Sequence, residues 1–158
     1  MKESIYIETT IPNFYYETRT EPDIIARKEW TVDWWNNHRH KYNLLTSEAV
    51  HEELNAGEYP EKINIQHLIN DIPLIETNPE IIEIVQFYIH HKLMPNNPLG
   101  DALHLAIASY HKCDYILTWN CRNIANPNKF KHIQRINAML QLYCPVLTTP
   151  LQMLGGDL

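Results

Sequence analysis

The chain has 158 residues, 44% apolar and 20% charged, and its 13 Lys plus Arg against 19 Asp plus Glu give a formal charge of −6. That length buries enough surface for one core without disulfides or a structural metal, which excludes a tail, a fibre and a disulfide mini-protein. The acidic balance argues against coating nucleic acid by charge alone, and four glycines with neither GxGxxG nor GxxxxGK[ST] argue against a dinucleotide-binding Rossmann enzyme or a P-loop NTPase.

Residues 4–7, Ser-Ile-Tyr-Ile, are short, β-branched and aromatic and predict a first strand, closed by the polar stop Glu8-Thr9-Thr10-Ile11-Pro12. Residues 22–37 carry apolar and charged side chains at helical spacing, with Pro22 suited to a first turn. A second strand is predicted over 42–46, and Ser47 stands as N-cap of a helix through Leu54 that Gly57 stops. An amphipathic helix follows over 60–70, then a brief strand over 73–76, and Asn78-Pro79 opens a helix to about 92 in cap-then-proline order. After a loop over 94–99, Pro98 starts a helix whose run 101–108 is apolar nearly all round. A strand over 114–120, a helix over 129–142, a strand over 146–148 and a final short turn at Thr149-Pro150 complete the pattern.

Strands alternating with helices predict a single α/β domain over 1–158, with a mainly parallel sheet of four to five strands covered on both faces. Its site is expected at the carboxyl edge of the sheet, near a switch point in strand order. Cys113, Cys121 and Cys144 are odd in number with no CxxC pair, so reduced thiols are expected. The apolar run at the start is too short for a signal peptide and no stretch approaches the ~18 apolar residues of a span, so the expected location is cytoplasmic with no membrane contact.

The informative residues are acids after strands or at helix starts. Glu8 ends the first strand, Glu53 lies in the helix after the second, and Asp101 precedes a nearly all-apolar helix. Three carboxylates at one edge repel unless a cation sits among them, and oxygen ligands without Cys or an obligatory His point to Mg²⁺ or Mn²⁺. Each acid has a plain use as well: Glu8 receiving backbone amides, Glu53 as one solvated acid beside Glu48 and Glu52, Asp101 as an N-terminal helix acid. His104 lies three residues after Asp101 on the same helix face, which would set it near that pocket; set against that, a hydrogen-bonded core histidine is the expectation. Trp30, Trp34 and Trp35 are expected to serve core packing or a subunit interface rather than base stacking.

The segments IYIETTIPNFY, TSEAVHEEL, GDALHLAIAS and YILTWNCRNI, in this order and covering essentially the whole chain, resemble the PIN domain, in particular VapC-type toxin homologues. The resemblance implies a Rossmann-like three-layer α/β/α sandwich and Mg²⁺- or Mn²⁺-dependent endonucleolytic cleavage of RNA. It also implies homodimerisation and, in toxin members, a partner antitoxin. Carried over by motif, the first acid is Glu8 followed by Thr9, the second is Glu53 with Ser47 as the serine, and the third is Asp101. The segment after the late strand, usually Thr-Arg-Asn-x-x-Asp, is Thr118-Trp119-Asn120-Cys121-Arg122-Asn123. The implied catalytic set is Glu8, Glu53, Asp101 and Asn120, and the implied metal set is Glu8, Glu53, Asp101 and Asn123, with Thr9, Ser47 and Thr118 in support. Two departures stand out: Glu8 is one methylene longer than the usual Asp, and Asn123 keeps an oxygen but loses a charge. Arg122 and Lys129 would hold RNA phosphates if they flank the metal edge. The departures favour, as the alternative, a catalytically weakened PIN-like domain acting as an RNA- or protein-binding module.

Overall fold

Consecutive apolar residues that are all buried belong to strands covered on both faces. The computed structural model describes residues 1–94 and 100–155. Its strands are β1 (Ser4–Ile7), β2 (Asn43–Leu45), β3 (Tyr115–Leu117) and β4 (Val146–Thr148), all parallel in the order β2-β1-β3-β4. Ile5, Tyr6 and Ile7 on β1 and Ile116 and Leu117 on β3 are fully buried. The helices that cover them are α1 (Thr10–Tyr15), α2 (Pro22–Asn37), α3 (Glu48–Asn55), α4 (Lys62–Leu68), α5 (Pro79–His90), α6 (Asp101–Tyr110), α7 (Pro127–Met139) and α8 (Pro150–Leu154). The result is the expected α/β/α sandwich with four strands. No helix among the described residues is long and apolar enough to cross a membrane.

Several boundaries differ from the sequence reading, each for a local reason. The strand expected over 73–76 shrinks to one parallel bridge, Thr46 to Leu74; Pro73 has no N–H to give a ladder, and Leu74 is 45% exposed. The polar stop after β1 is in fact the helix α1. Pro12 is its third residue, where the missing N–H belongs to the first turn and has no intrahelical partner to lose. Helix α7 starts at Pro127 because Asn126 caps it, its side chain accepting from the Asn128 amide at 3.0 Å. Of the loop expected over 94–99, residues 95–99 lie outside the described residues, and so does the expected helix start at Pro98; α6 begins at Asp101.

Glycine scarcity has a visible structural counterpart. Lys92, Lys112 and Gln141 follow α5, α6 and α7 with φ of 56°, 56° and 57°, in the left-handed region. In each case the next residue closes back on the helix: Leu93 N to Tyr88 O at 2.9 Å, Cys113 N to Ala108 O at 3.0 Å, Leu142 N to Asn137 O at 2.8 Å. These are Schellman ends, normally built with glycine, and here the apolar residue that follows anchors the turn in the core. Lys112→Gly is therefore expected to stabilise the fold by about 0.5–1 kcal/mol, the left-handed penalty less glycine's greater freedom when unfolded. A thermal melt reads this as a midpoint about 1–4 °C higher; an unchanged or lower midpoint contradicts it.

Trp34 and Trp35 are core residues at 0% and 2% exposure, and half-buried Trp30 stacks on Trp119 with ring centroids 6.1 Å apart. Packing, one of the two uses expected of the tryptophans, is what these side chains do. Buried Asn137 pins α5, α6 and the end of α7 together: it accepts from the Tyr88 hydroxyl at 2.6 Å and donates to Ser109 Oγ at 3.0 Å and Tyr143 O at 3.2 Å. Of the cysteines, all free, Cys113 is buried, Cys144 half-buried and Cys121 exposed.

Candidate functional site

The connection from β1 to β2 leads to one side of β1, while β3 pairs on the other, so the strand order switches between β1 and β3. Their carboxyl ends frame the crevice where parallel α/β sheets place ligands. Glu8 follows β1 directly and extends its ladder by one bond, its N–H donating to Leu117 O at 3.2 Å. Only 3% of Glu8 is exposed. Its Oε1 accepts three hydrogen bonds: from the Thr10 amide at 3.0 Å, the Thr10 hydroxyl at 2.5 Å and the Thr118 hydroxyl at 2.7 Å. Those hydroxyls donate to Glu8 because each is itself an acceptor, Thr10 Oγ1 for the Trp119 amide and Thr118 Oγ1 for the Asn120 amide. The hydroxyl protons are thereby aimed at the carboxylate.

Asp101, the first residue of α6, faces the loop after β3. Its Oδ1 accepts from Asn120 Nδ2 and its Oδ2 from Asn123 Nδ2, both at 2.7 Å. The rest of the network fixes which way both amides point. Asn120 Oδ1 accepts from the Asn123 backbone N–H at 3.0 Å, and Asn123 Oδ1 faces the Lys129 ammonium at 3.4 Å. Asn123 thus offers Asp101 a donor, and its oxygen is directed to Lys129. Lys129 also donates to Leu93 O at 3.0 Å. Burial lowers its pKa, the nearby Asp101 charge opposes that effect, and Arg122 adds to it. Arg122 itself is exposed.

The third acid is reached through a buried histidine. His104, fully buried on α6, places Nε2 2.5 Å from Glu53 Oε1 and Nδ1 2.7 Å from the Tyr6 hydroxyl. The Tyr6 hydroxyl is in turn 2.7 Å from Ser47 Oγ. Burial disfavours charge on His104, but the Glu53 hydrogen bond and the charges of Glu8, Glu53 and Asp101 together outweigh it and raise its pKa. Of the three acids, Glu53 touches the ring directly, while Asp101 lies one helical turn before it on α6. The expected hydrogen-bonded core histidine is what the structure shows.

Each carboxylate rests on its own donors: Glu8 on threonines, Asp101 on asparagine amides, Glu53 on His104. Among the described residues no three side chains of His, Cys, Asp and Glu are gathered as a ready metal-binding group. The donor set is nevertheless one of hard oxygens, and Glu8 Oε2 and Glu53 Oε2 take no hydrogen bond among the described residues. Unengaged carboxylate oxygens are the ligand type that Mg²⁺ or Mn²⁺ takes.

The three supporting residues divide. Thr118 holds Glu8, whereas Thr9 Oγ1 is buried without a hydrogen-bond partner in the described structure. Ser47 occupies the N-cap position of α3, with φ −142° and ψ 166°, yet its side chain makes no capping bond and turns to Tyr6. Sequence reasoning missed Thr10 and Tyr6. Thr10 was hidden beside the motif threonine Thr9. Tyr6 carried a usable signal, because a tyrosine in a strand buried on both faces needs a partner for its hydroxyl. Comparisons with protein-family models, with curated proteins and with solved structures returned no match for the chain.

Proposed function

We propose that this chain is a PIN-type, divalent-metal-dependent ribonuclease that cleaves phosphodiester bonds of RNA internally. The observation that carries the reading is the hydrogen-bonded placement of the three acids at the switch point of a parallel sheet: Glu53 meets His104, one turn from Asp101 on α6, and Asn120 links Asp101 to the Thr118 hydroxyl that holds Glu8. The motif resemblance along the chain supports the same assignment. Glu8, Glu53 and Asp101 would hold Mg²⁺ or Mn²⁺, which when bound polarises a phosphodiester and supplies an activated water. Thr10 and Thr118 orient the Glu8 carboxylate, and Asn120 and Asn123 orient Asp101. Lys129 places a positive charge beside Asp101, where it meets an RNA phosphate, and exposed Arg122 extends that charge outward. By the same resemblance the chain acts as the toxin of a toxin–antitoxin pair and as a homodimer; its free thiols fit a cytoplasmic location.

One observation favours a second reading, a PIN-like module that binds RNA or protein without cutting: both Asp101 oxygens are already engaged by asparagine amides. One experiment separates the two. Labelled RNA is incubated with the protein and Mn²⁺ or Mg²⁺, with and without chelator, and binding is followed in parallel. The ribonuclease gives internal cleavage that chelator stops; binding without cleavage under every metal condition overturns it in favour of the module. A thermal shift in Mn²⁺ is a quick companion, because an ion that binds only the folded state raises its stability.

A further inference from the structure

Four side chains from three elements form one hydrogen-bonded chain behind the carboxylates: Ser47 before α3, Tyr6 on β1, His104 on α6 and Glu53 on α3. The first three are fully buried, and the fourth has 40% of its side chain exposed. The chain therefore runs from the core out to the edge of the site. A half-exposed glutamate on a short helix would otherwise sample several rotamers, a freedom of about 1.5–2 kcal/mol. Here it is met by a ring with no freedom of its own. His104 is boxed inside a helix whose residues from Ala102 to Ser109 are all buried, and its far nitrogen is fixed by Tyr6.

The backbone of Ser47 bears on the same chain. A serine at an N-cap ordinarily accepts an amide of the first turn, a bond worth about 1 kcal/mol. Ser47 has the backbone of a cap and forgoes that bond, giving its hydroxyl to Tyr6. The hydroxyl that would cap α3 is thus engaged by the chain that ends on Glu53.

We propose that His104, clamped at Nδ1 by the Ser47–Tyr6 hydroxyl pair, is a positioning residue that fixes the Glu53 carboxylate for a divalent cation. Outer partners of this kind typically change metal affinity by about 10–100-fold. The inference rests on the metal reading above and adds the residues that set the strength of the site.

The test is Mn²⁺ affinity of the free protein, measured by electron paramagnetic resonance without RNA, with melting midpoints taken in chelator as a check on folding. Tyr6→Phe, which removes one oxygen, and His104→Leu are each expected to weaken Mn²⁺ binding about 10–100-fold. His104→Gln, which keeps a donor near the Nε2 position, is expected to recover most of that loss. In a Glu53→Gln background, His104→Leu is expected to cost little more, since the two side chains act as one unit. Unchanged affinity in folded Tyr6→Phe and His104→Leu overturns the proposal, and so does an equal loss with and without Glu53. If His104→Leu does not fold, Tyr6→Phe decides alone. A parent protein that leaves all Mn²⁺ free overturns the metal reading itself, a result distinct from parent binding that the variants share.

Discussion

Asp101→Asn is expected to lower metal-dependent RNA cleavage by at least about 100-fold, a loss no smaller than that seen when partners one shell further out are removed, while the protein stays folded. The change removes a charge and keeps the shape. Asp101 now accepts one amide on each oxygen, from Asn120 and Asn123; an asparagine can accept one of them and must turn its own NH₂ toward the other. That loses about one hydrogen bond, on the order of 1 kcal/mol, plus about 0.3–1 kcal/mol for an acid at the start of α6. The melting midpoint should therefore fall by only a few degrees, far too little to explain a 100-fold loss. Initial rates on labelled RNA in Mn²⁺, for parent and variant of matched folded fraction, give the result. Equal rates would remove Asp101 from the site.

Trp119→Ala should have the opposite profile, a large loss of stability with the carboxylate cradle left in place. Trp119 is 7% exposed, its ring packs against Phe14 and Trp30 with centroids 6.0 and 6.1 Å away, and the Arg27 guanidinium lies 5.4 Å from its centroid. Its indole N–H donates to buried Thr31 Oγ1 at 2.7 Å. Truncation to alanine opens a cavity between α1, α2 and the end of β3 and is expected to cost about 3–5 kcal/mol. The bond that helps aim the Thr10 hydroxyl at Glu8 comes from the Trp119 backbone, so it survives the substitution. Urea unfolding at constant slope measures the loss, and a change under about 1 kcal/mol would show that the ring is not part of the core. Trp119→Phe should recover much of the difference, because an aromatic ring still fills the space.

The architecture was legible because the strands are short, apolar and set between helices with strong start signals. Asn78-Pro79 opened α5 as expected, its side chain accepting from Ile81 N at 3.0 Å. The same cap-then-proline signal at Asn126-Pro127 was passed over, so α7 was placed two residues late. Helix α1 was missed because Thr10, Ile11 and Pro12 look like a terminator, although a proline in a first turn costs a helix nothing. For the site, Glu8 and Asp101 could be picked out by position, since an acid at a strand end or before an apolar helix is conspicuous, whereas Glu53, one of three acids in α3, was singled out by the motif resemblance. The donors to these acids could not be picked out. Thr10 and Thr118 are 108 residues apart in the chain and share one carboxylate oxygen, a relation that sequence spacing does not carry. Ser47 marks the clearest limit: its type and position were right for a cap, and tertiary demand from Tyr6 redirected it.

Placing β1 at the interior of the sheet has a consequence for the order of assembly. The first strand to be made is the one most dependent on what comes later: Ser4 bonds to Asp114 across 110 residues, and Thr118 reaches Glu8 across the same separation. At ordinary rates of synthesis those partners emerge about 5–20 s after β1, and such distant pairings close slowly. Until then β1 lacks its inner neighbour, and the acid at its end lacks the hydroxyl that steadies it. The carboxylate edge is thus completed late in synthesis, and a chain interrupted before β3 would carry all three acids without the sheet that brings them together.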